Sequence, residues 1–470
     1  MNPIKFGTDG WRAIIGEDFI PSNVEKVIQA FCDWQTLVDP THKQVILGYD
    51  CRKQSPETAK LVAEVLAGNG FEVFLSSQFC PTPCVSWMVK NSKAFAGVMV
   101  TASHNPWEWN GIKFKEEYGG SASPEYTSFI EKKIIENEKN KTQIKKISFE
   151  AGKAKKLIQF FDPHIDYIAQ LKSLIDFNAI KKANYHVLYD AIHGAGSGFL
   201  EKILGEQVTS FRGTHDIRFG GVNPEPIDKN LKTFLNEMKT GKYGLGLATD
   251  GDADRIGAAS DDGSFVNSHQ IFALLLQHYV EDKDLKGVVV KSVSTTQMIP
   301  KLCKKYGLTC LETPIGFKHI CEELVARNAL MGGEESGGIS FFKHVHERDG
   351  LLNGLMLLEM MSQRKKSLRQ LIKDLYTEIG EFYFDRIDCH VKSDQIVRLK
   401  EKLSTEAIST IAGQKVTAVN TLDGFKYLLA DESWLLIRAS GTEPLVRIYA
   451  EAGSIQKVKD LLNFGNKFLM

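Results

Sequence analysis

The sequence lacks an excess of charge of either sign. Lysine and arginine together number 58, aspartate and glutamate also number 58, and the formal net charge is zero. A broadly basic surface of the kind that binds nucleic acid or an anionic membrane is therefore not expected, although a small anionic ligand would need only a local basic pocket. We expect a small-molecule ligand, with no nucleic-acid partner and no membrane partner.

Targeting and membrane-spanning segments are not visible either. The start, MNPIKFGTDGWR, has no basic region followed by an apolar one, and no apolar run approaches the roughly 18 residues of a membrane span. The eight cysteines include one close pair, Cys80 and Cys84, without the second pair or the histidines that a zinc site needs. We expect reduced, mostly buried cysteines and a cytoplasmic protein.

Two familiar catalytic signatures are missing. The pattern G-x4-G-K-[ST] does not occur, which excludes a P-loop. The pattern G-x-S-x-G is absent around Ser103, which stands in TASHNP, so this serine does not lie in a nucleophile elbow.

What the chain does contain is an alternation of short apolar runs and helical patterns. Residues 45–50, 71–76 and 95–102 read as buried strands, and SPETAKLVAEVLAGNG between the first two reads as a helix with Ser55 as N-cap. The alternation continues through two more units and gives way after residue 365 to shorter strands. The prediction is an α/β protein in which three similar domains with mixed or parallel sheets, and a smaller C-terminal α+β domain that binds phosphate, surround a central cleft. The predicted boundaries are 1–150, 151–262, 263–366 and 367–470.

The loop TASHNP follows the strand at 95–102. A serine at the C-terminal end of such a strand lies where ligands meet open α/β sheets. His104 is adjacent in sequence, but a general base must reach the hydroxyl in space. The competing interpretation is a polar turn marked by Asn105 and Pro106.

The loop DGDADR places three carboxylates, Asp250, Asp252 and Asp254, at alternate positions after a strand. Such carboxylates can converge on one hard cation. An EF-hand is disfavoured, because Arg255 occupies the position of its glycine and Asp261 the position of its glutamate. The pattern favours Mg²⁺ over calcium, with an acidic solvated turn as the alternative.

Two later loops indicate recognition of a phosphorylated polyol. GGEESGG (332–338) sets glutamates and a serine among glycines, a composition that suits sugar hydroxyls and not phosphate. RASGTEPLVRIY (438–449) offers hydroxyls, backbone N–H groups and two arginines, which suit an anion. The alternatives are a flexible acidic loop and a polar hairpin.

The four loops, together with FGTDGWR near the start and NPEPIDKNL (223–231), resemble the α-D-phosphohexomutase family from end to end. The resemblance implies four domains, of which the last can swing. It also implies an enzyme that interconverts hexose 1-phosphates and 6-phosphates through a phosphoserine and a 1,6-bisphosphate intermediate. Ser103 would be that phosphoserine, and Mg²⁺ would bind Asp250, Asp252, Asp254 and the Ser103 phosphate.

The resemblance also implies the substrate contacts. Glu334 and Ser336 would bind sugar hydroxyls, and the existing phosphate would be held by Arg438, Ser440, Gly441, Thr442 and Arg447. Arg12 and Lys113 match basic residues of the family's reaction centre, and Lys113 is the candidate general acid/base. Further candidates are Arg255, Lys318, Arg348 and His104.

The sugar itself is indicated by Glu335 in GEESG, a residue typical of the family members that select glucose. We therefore expect a phosphoglucomutase activated by glucose 1,6-bisphosphate. Phosphomannomutase or dual activity is the alternative, and phosphoglucosamine mutase or a non-catalytic sugar-phosphate sensor is a more distant one. A metal-dependent phosphatase would not need both a sugar loop and a second phosphate site. A monomer is favoured slightly over a dimer.

Overall fold

A computed structural model describes residues 4–7, 9–439 and 445–469. In this part of the chain no helix is both long enough and apolar enough to cross a membrane. All eight cysteines are free, and six of them are buried and two half-buried, which confirms that they are mostly buried.

The first unit is a six-stranded mixed sheet flanked by helices. Its order is β1-β5-β4-β2-β3-β6, with β1 and β5 antiparallel to their neighbours and the remaining pairs parallel. Its elements are β1 (Trp11–Ile14), α1 (Pro21–Val38), β2 (Gln44–Tyr49), α2 (Ser55–Gly68), β3 (Glu72–Ser76), α3 (Thr82–Ser92), β4 (Ala96–Val100), β5 (Trp109–Lys115), α4 (Pro124–Asn140), α5 (Phe149–Ala154) and β6 (Ile158–Phe161).

Two more mixed sheets follow. The second unit has the order β11-β10-β9-β7-β8 and the third β13-β12-β14-β15. The second contains α6 (Asp166–Ser173), α7 (Phe177–Ala183), β7 (Val187–Asp190), α8 (Phe199–Leu204), β8 (Val208–Phe211), α9 (Lys232–Met238), β9 (Leu245–Thr249), β10 (Ile256–Ala259) and β11 (Phe265–Val266). The third contains α10 (Ser268–Gln277), β12 (Val289–Ser292), α11 (Met298–Tyr306), β13 (Cys310–Thr313), α12 (Phe317–Arg327), β14 (Met331–Gly333), β15 (Ile339–Phe341) and α13 (Gly350–Arg364).

The C-terminal unit is a six-stranded antiparallel sheet of order β16-β21-β20-β19-β18-β17. It follows α14 (Leu368–Ile379), which packs on α10 and α11 of the third unit. Its elements are β16 (Tyr383–His390), α15 (Ser393–Thr405), β17 (Thr410–Ile411), β18 (Gln414–Asn420), β19 (Phe425–Leu429), β20 (Trp434–Ala439), β21 (Leu445–Ala452) and α16 (Ile455–Lys467). The predicted fold class is confirmed; the numerical domain boundaries stay predictions.

The buried apolar side chains form separate clusters, and the largest of them extends through three units. One cluster of buried side chains runs from Ile46 in the first unit through Tyr189 in the second to Leu275 in the third. Helix α13, which is buried over nearly its whole length, packs on α7, β9 and β10 and so joins the second and third units. The fourth unit has a separate core, centred on buried residues such as Ile437 and Ile448.

Helix α2, predicted to have Ser55 as its N-cap, has its N-cap one position earlier in the sequence. Gln54, with a left-handed φ of 65°, is the N-cap, and Ser55 is already helical. The Ser55 hydroxyl is directed elsewhere, donating a 2.7 Å hydrogen bond to Oδ1 of Asp50. The N-cap prediction is therefore wrong, because a buried carboxylate after β2 competes successfully for the hydroxyl.

Glycine allows α3 to lie close to the first sheet. A Cβ on Gly48 would stand 2.4 Å from a methyl of Val85 and 2.8 Å from Sγ of Cys80. We expect Gly48→Ala to lower the free energy of unfolding by about 1–3 kcal/mol, since the packed helix must shift. Urea unfolding measures this, with Gly453→Ala as control, because the nearest atom to a Cβ there is 3.8 Å away. Equal stability of both variants and the parent would contradict the close packing.

Candidate active site

The predicted serine lies in a turn that the first unit holds rigidly. Ser103 follows β4, is 1% exposed and has a left-handed φ of 54°. Its N–H donates to Oγ1 of Thr101 at 2.8 Å, and Thr101 in turn donates to Asp50 at 2.6 Å. Its hydroxyl therefore has a fixed direction, and it donates to Oδ2 of Asp250 at 2.9 Å.

Arg52, which was not predicted from the sequence, organises this loop. Its buried guanidinium donates to four loop carbonyls, those of Ser103 at 2.6 Å, Asn105 at 2.7 Å, Pro106 at 2.9 Å and Trp109 at 3.1 Å. An ion pair with Asp50 at 3.1 Å fixes the guanidinium itself. The available signal was the charged pair in GYDCR at the end of β2, the strand next to β4 in the sheet.

The second unit supplies the three predicted aspartates in the loop between β9 and β10. All three are buried, and one carboxylate oxygen from each lies within 4.8 Å of the others. The backbone approaches closely, because a Cβ on Gly251 would lie 2.4 Å from the carbonyl oxygen of Ser103. The phosphoserine candidate and the acidic loop are thus in direct contact.

Lys113 on β5 joins the first unit to the acidic loop. Its Nζ lies 2.7 Å from Asp9, 2.9 Å from Asp252 and 3.0 Å from Asp254. Burial alone would lower the pKa of Lys113, but the carboxylates of Asp252, Asp254 and Asp9 outweigh it and raise this pKa. The lysine is therefore a fixed cation here. Its predicted role as general acid/base stays a prediction, and this charge state opposes it.

Two buried carboxylate oxygens of this loop have the chemistry of cation ligands. The Oδ2 atoms of Asp252 and Asp254 accept from Lys113, while their Oδ1 atoms are buried and have no hydrogen-bond partner among the described residues. Burial, followed by repulsion from Asp254 and Asp252, raises the pKa of Asp250 well above its usual range. Orphaned buried oxygens and mutually repelling carboxylates both suit a hard divalent ion with oxygen ligands.

Arg348 brings the third unit to the same place. Its guanidinium pairs with Asp9, with Asp254 at 2.7 Å and with Glu334 at 3.2 Å. Glu334 also accepts a 2.8 Å hydrogen bond from the hydroxyl of Ser336. The predicted sugar-binding pair therefore borders the acidic loop through one arginine.

Of the remaining predicted residues of the first three units, Arg12 and His104 lie at the serine loop. Arg12 donates to Asn105 at 2.6 Å, and His104 Nδ1 lies 3.4 Å from the Ser103 hydroxyl. Arg255 lies 3.6 Å from Glu225. Lys318 is half-buried at the second position of α12, next to Phe317, whose ring centroid lies 5.0 Å from the Arg348 guanidinium. Burial and then Arg255 lower the pKa of His104 well below its usual range, which favours a neutral imidazole.

The fourth unit places two predicted arginines side by side. Arg438 on β20 and Arg447 on β21 are directly opposite in the antiparallel register. Facing cations repel each other unless an anion lies between or beside them. Each has a carboxylate neighbour, Asp423 at 2.9 Å from Arg438 and Asp388 at 3.9 Å from Arg447. The predicted residues Ser440, Gly441 and Thr442 lie outside the described residues.

Comparison with known proteins agrees with this arrangement. Models of the phosphoglucomutase/phosphomannomutase domains I, II, III and IV match residues 3–141, 163–263, 267–379 and 396–464. The chain belongs to the α-D-phosphohexomutase family. Members of this family are phosphotransferases of the isomerase class.

Among its relatives is a phosphoglucomutase/phosphomannomutase of Thermococcus kodakarensis, 30% identical over 99% of this chain and 98% of the relative. Another is a phosphoglucosamine/phosphogalactosamine mutase of Sulfurisphaera tokodaii, 29% identical over 97% of each chain. A solved Thermus thermophilus structure, provisionally named a phosphomannomutase, is 32% identical with a TM-score of 0.85, and the match covers 100% of this chain and 99% of that one. The names of the relatives agree on the family and differ in the sugar.

The arginine that holds the serine loop is open to a direct test. We expect Arg52→Met to reduce the free energy of unfolding by about 3–5 kcal/mol, because it leaves Asp50 buried without its ion-pair partner. Chemical denaturation measures the loss. Arg327→Met is the matched control, since its exposed pair with Glu323 should contribute less than about 1 kcal/mol. Similar losses in both variants would show that Arg52 does not organise the loop.

Proposed function

We propose that this protein interconverts hexose 1-phosphate and hexose 6-phosphate, with glucose as the preferred sugar and Ser103 as the phosphoryl carrier. The observation that carries the proposal is the presence of two separate places that can hold a phosphate, the first of them together with a cation. One is the Ser103 hydroxyl beside three buried carboxylates, and the other is the Arg438–Arg447 pair in the fourth unit. Glu334 and Ser336, beside Arg348, supply polar groups for a sugar.

In the proposed reaction, a free sugar hydroxyl attacks the phosphorus on Ser103. The bond from phosphorus to Oγ breaks as the bond to the sugar oxygen forms, and overall the proton of the sugar hydroxyl passes to the departing Oγ of Ser103. The resulting 1,6-bisphosphate turns over in the cleft, and its other phosphate passes to Ser103 by the reverse chemistry. Phosphoryl transfer needs positioning and charge stabilisation above all, which a rigid serine loop and buried cations provide.

Mg²⁺ is the proposed metal, held by Asp250, Asp252, Asp254 and the phosphate on Ser103. When bound, it would neutralise charge on the transferring phosphoryl group. Lys113 remains protonated beside this group and adds a second positive charge. Arg438 and Arg447 bind the distal phosphate, so that either end of the bisphosphate reaches Ser103. Further predicted contacts to this phosphate are Ser440, Gly441 and Thr442.

The preference for glucose rests on Glu335 and on the resemblance in that loop. Relatives named for glucosamine make the amino sugar the main competitor. Since glucose, mannose and glucosamine differ at the second carbon, one assay series on the three 1-phosphates separates the alternatives. The proposed activator is glucose 1,6-bisphosphate, which would phosphorylate Ser103.

The activity test is a coupled assay with Mg²⁺ and a trace of glucose 1,6-bisphosphate. We expect kcat/KM for glucose 1-phosphate to exceed the values for mannose and glucosamine 1-phosphates by about tenfold, or roughly 1.4 kcal/mol. Ser103→Ala should lose about a thousandfold or more, while Ser77→Ala, an exposed serine of the same unit, should keep full activity. A higher value for either other sugar would overturn the glucose assignment, and inactivity on all three would overturn the mutase proposal for these sugars.

The metal proposal predicts that Asp250→Asn affects the Tm differently in the absence and in the presence of Mg²⁺. Burial and the neighbouring aspartates raise the pKa of Asp250. The folded state therefore disfavours the ionised form, and the charge of Asp250 is destabilising at pH 8. We therefore expect Asp250→Asn to have an equal or higher Tm than the parent without metal and to lose the rise in Tm that Mg²⁺ gives the parent. Asp284→Asn, an exposed change of the same charge at a left-handed position that asparagine tolerates, should retain that rise. A full Mg²⁺ response in Asp250→Asn would contradict the assignment.

A further inference from the structure

One turn of the second unit has an unfavourable backbone conformation at a large side chain. Phe219, between β8 and α9, is fully buried and has a left-handed φ of 54°. Left-handed backbone disfavours an aromatic residue, whereas Gly220 and Gly221, which follow with φ values of 66° and 78°, adopt it readily. A strained aromatic residue persists only where its surroundings hold it, and such residues concentrate at functional sites.

The carboxylate of Asp216 fixes this turn. Its Oδ1 accepts from the N–H of Arg218 at 2.8 Å, and its Oδ2 accepts from the N–H of Gly220 at 3.2 Å. The N–H of Phe219 donates to the carbonyl of Asp216 at 2.9 Å. The turn is therefore closed by its own hydrogen bonds, which give the Phe219 side chain a defined direction.

The ring of Phe219 contacts the arginine that holds the serine loop. The guanidinium carbon of Arg52 lies over this ring, 4.9 Å from its centroid. The hydrogen bonds of Arg52 described above go to Asp50 and to the loop carbonyls, all within the first unit. Phe219 therefore adds a contact from the second unit. A cation and an aromatic ring attract each other most strongly when both are shielded from water, as these two are.

Two neighbours of Phe219 contact the same part of the first unit. Nε2 of His215 lies 2.9 Å from the carbonyl oxygen of Cys51, one position before that arginine in the sequence. The guanidinium carbon of Arg218 lies 5.3 Å from the ring centroid of Trp107, which belongs to the serine loop. The turn thus contacts both the end of β2 and the serine loop itself.

We propose that Phe219 is a positioning residue, whose ring holds the Arg52 guanidinium in place and thereby the loop that carries Ser103. This inference rests on the proposed function, in which Ser103 carries the phosphoryl group. A weaker contact would allow the loop to shift, and small displacements of a reacting group slow its reaction strongly. The proposed sugar-binding pair and phosphate-binding arginines belong to the third and fourth units, so substrate affinity should depend little on this ring.

Fluorination of the ring tests the proposal with little change of shape. Trifluorophenylalanine and pentafluorophenylalanine, incorporated in place of Phe219 in the full chain, progressively withdraw the negative charge from the ring face that attracts a cation. We expect kcat for glucose 1-phosphate to fall stepwise, by about tenfold for the pentafluoro ring, while KM stays within about twofold of the parent value. A ring that only fills space would leave kcat unchanged across the series.

Phe211 provides the matched control. The guanidinium carbon of Arg212 lies 5.8 Å from its ring centroid, and this arginine pairs with Asp190 of the same unit. The same fluorinated residues in place of Phe211 should therefore change neither kcat nor KM.

Hydrogen exchange of the same variants gives a readout that needs no activity. With the pentafluoro ring at position 219, the backbone amides of residues 103–109 should exchange about tenfold faster than in the parent, because the loop opens more often. With that ring at position 211, they should exchange at the parent rate.

The outcomes separate this inference from the proposed function. An unchanged kcat or unchanged exchange with the pentafluoro ring at position 219 would overturn the role of Phe219, as would equal losses at position 211 or a rise in KM alone. If the parent interconverts none of the hexose phosphates, the proposed function fails, and the exchange rates then decide whether Phe219 holds the serine loop. A stepwise fall in kcat with faster exchange, confined to position 219, supports the proposal.

Discussion

The central constraint on this structure is the burial of many charges in one place. Lys113 and Arg348 are almost fully buried, and each is surrounded by carboxylates. Removing one partner from such a buried pair typically costs several kcal/mol, so the partners must be supplied together. Since Asp9 and Lys113 come from the first unit, Asp252 and Asp254 from the second and Arg348 from the third, the charges can be satisfied only when the three units are assembled.

The same arrangement has a chemical consequence. The fold satisfies the Oδ2 atoms of Asp252 and Asp254 and leaves the Oδ1 atoms buried without hydrogen bonds from described residues. The protein thus accepts an electrostatic cost at Asp250, whose charge is disfavoured, in exchange for a preformed oxygen-rich site. A stable scaffold and a strained centre are typical of catalytic sites.

Much of this architecture could be predicted from sequence, for identifiable reasons. Continuous apolar runs such as VILGY form strands buried on both faces, and the functional loops follow strands, where ligands meet α/β sheets. Arg52 and Arg386 could not be found this way. Arg52 donates to the carbonyls of Ser103 and Asn105, which lie 51 and 53 positions away in the sequence. Arg386 lies within ion-pair distance of Glu335, which belongs to a different unit. The N-cap at Ser55 failed for a related reason, because a tertiary partner, Asp50, took its hydroxyl.

The division of the hydrophobic core has a consequence for how the protein tolerates substitution. Because one cluster of apolar side chains runs through the first three units, a cavity made in this cluster weakens the packing that joins them. The fourth unit has its own core, and a smaller cluster that includes Val293 and Trp434 packs it on the third unit. A cavity in the fourth unit's own core would therefore leave the packing around the serine loop and the acidic loop unchanged and loosen the strands that carry Arg438 and Arg447.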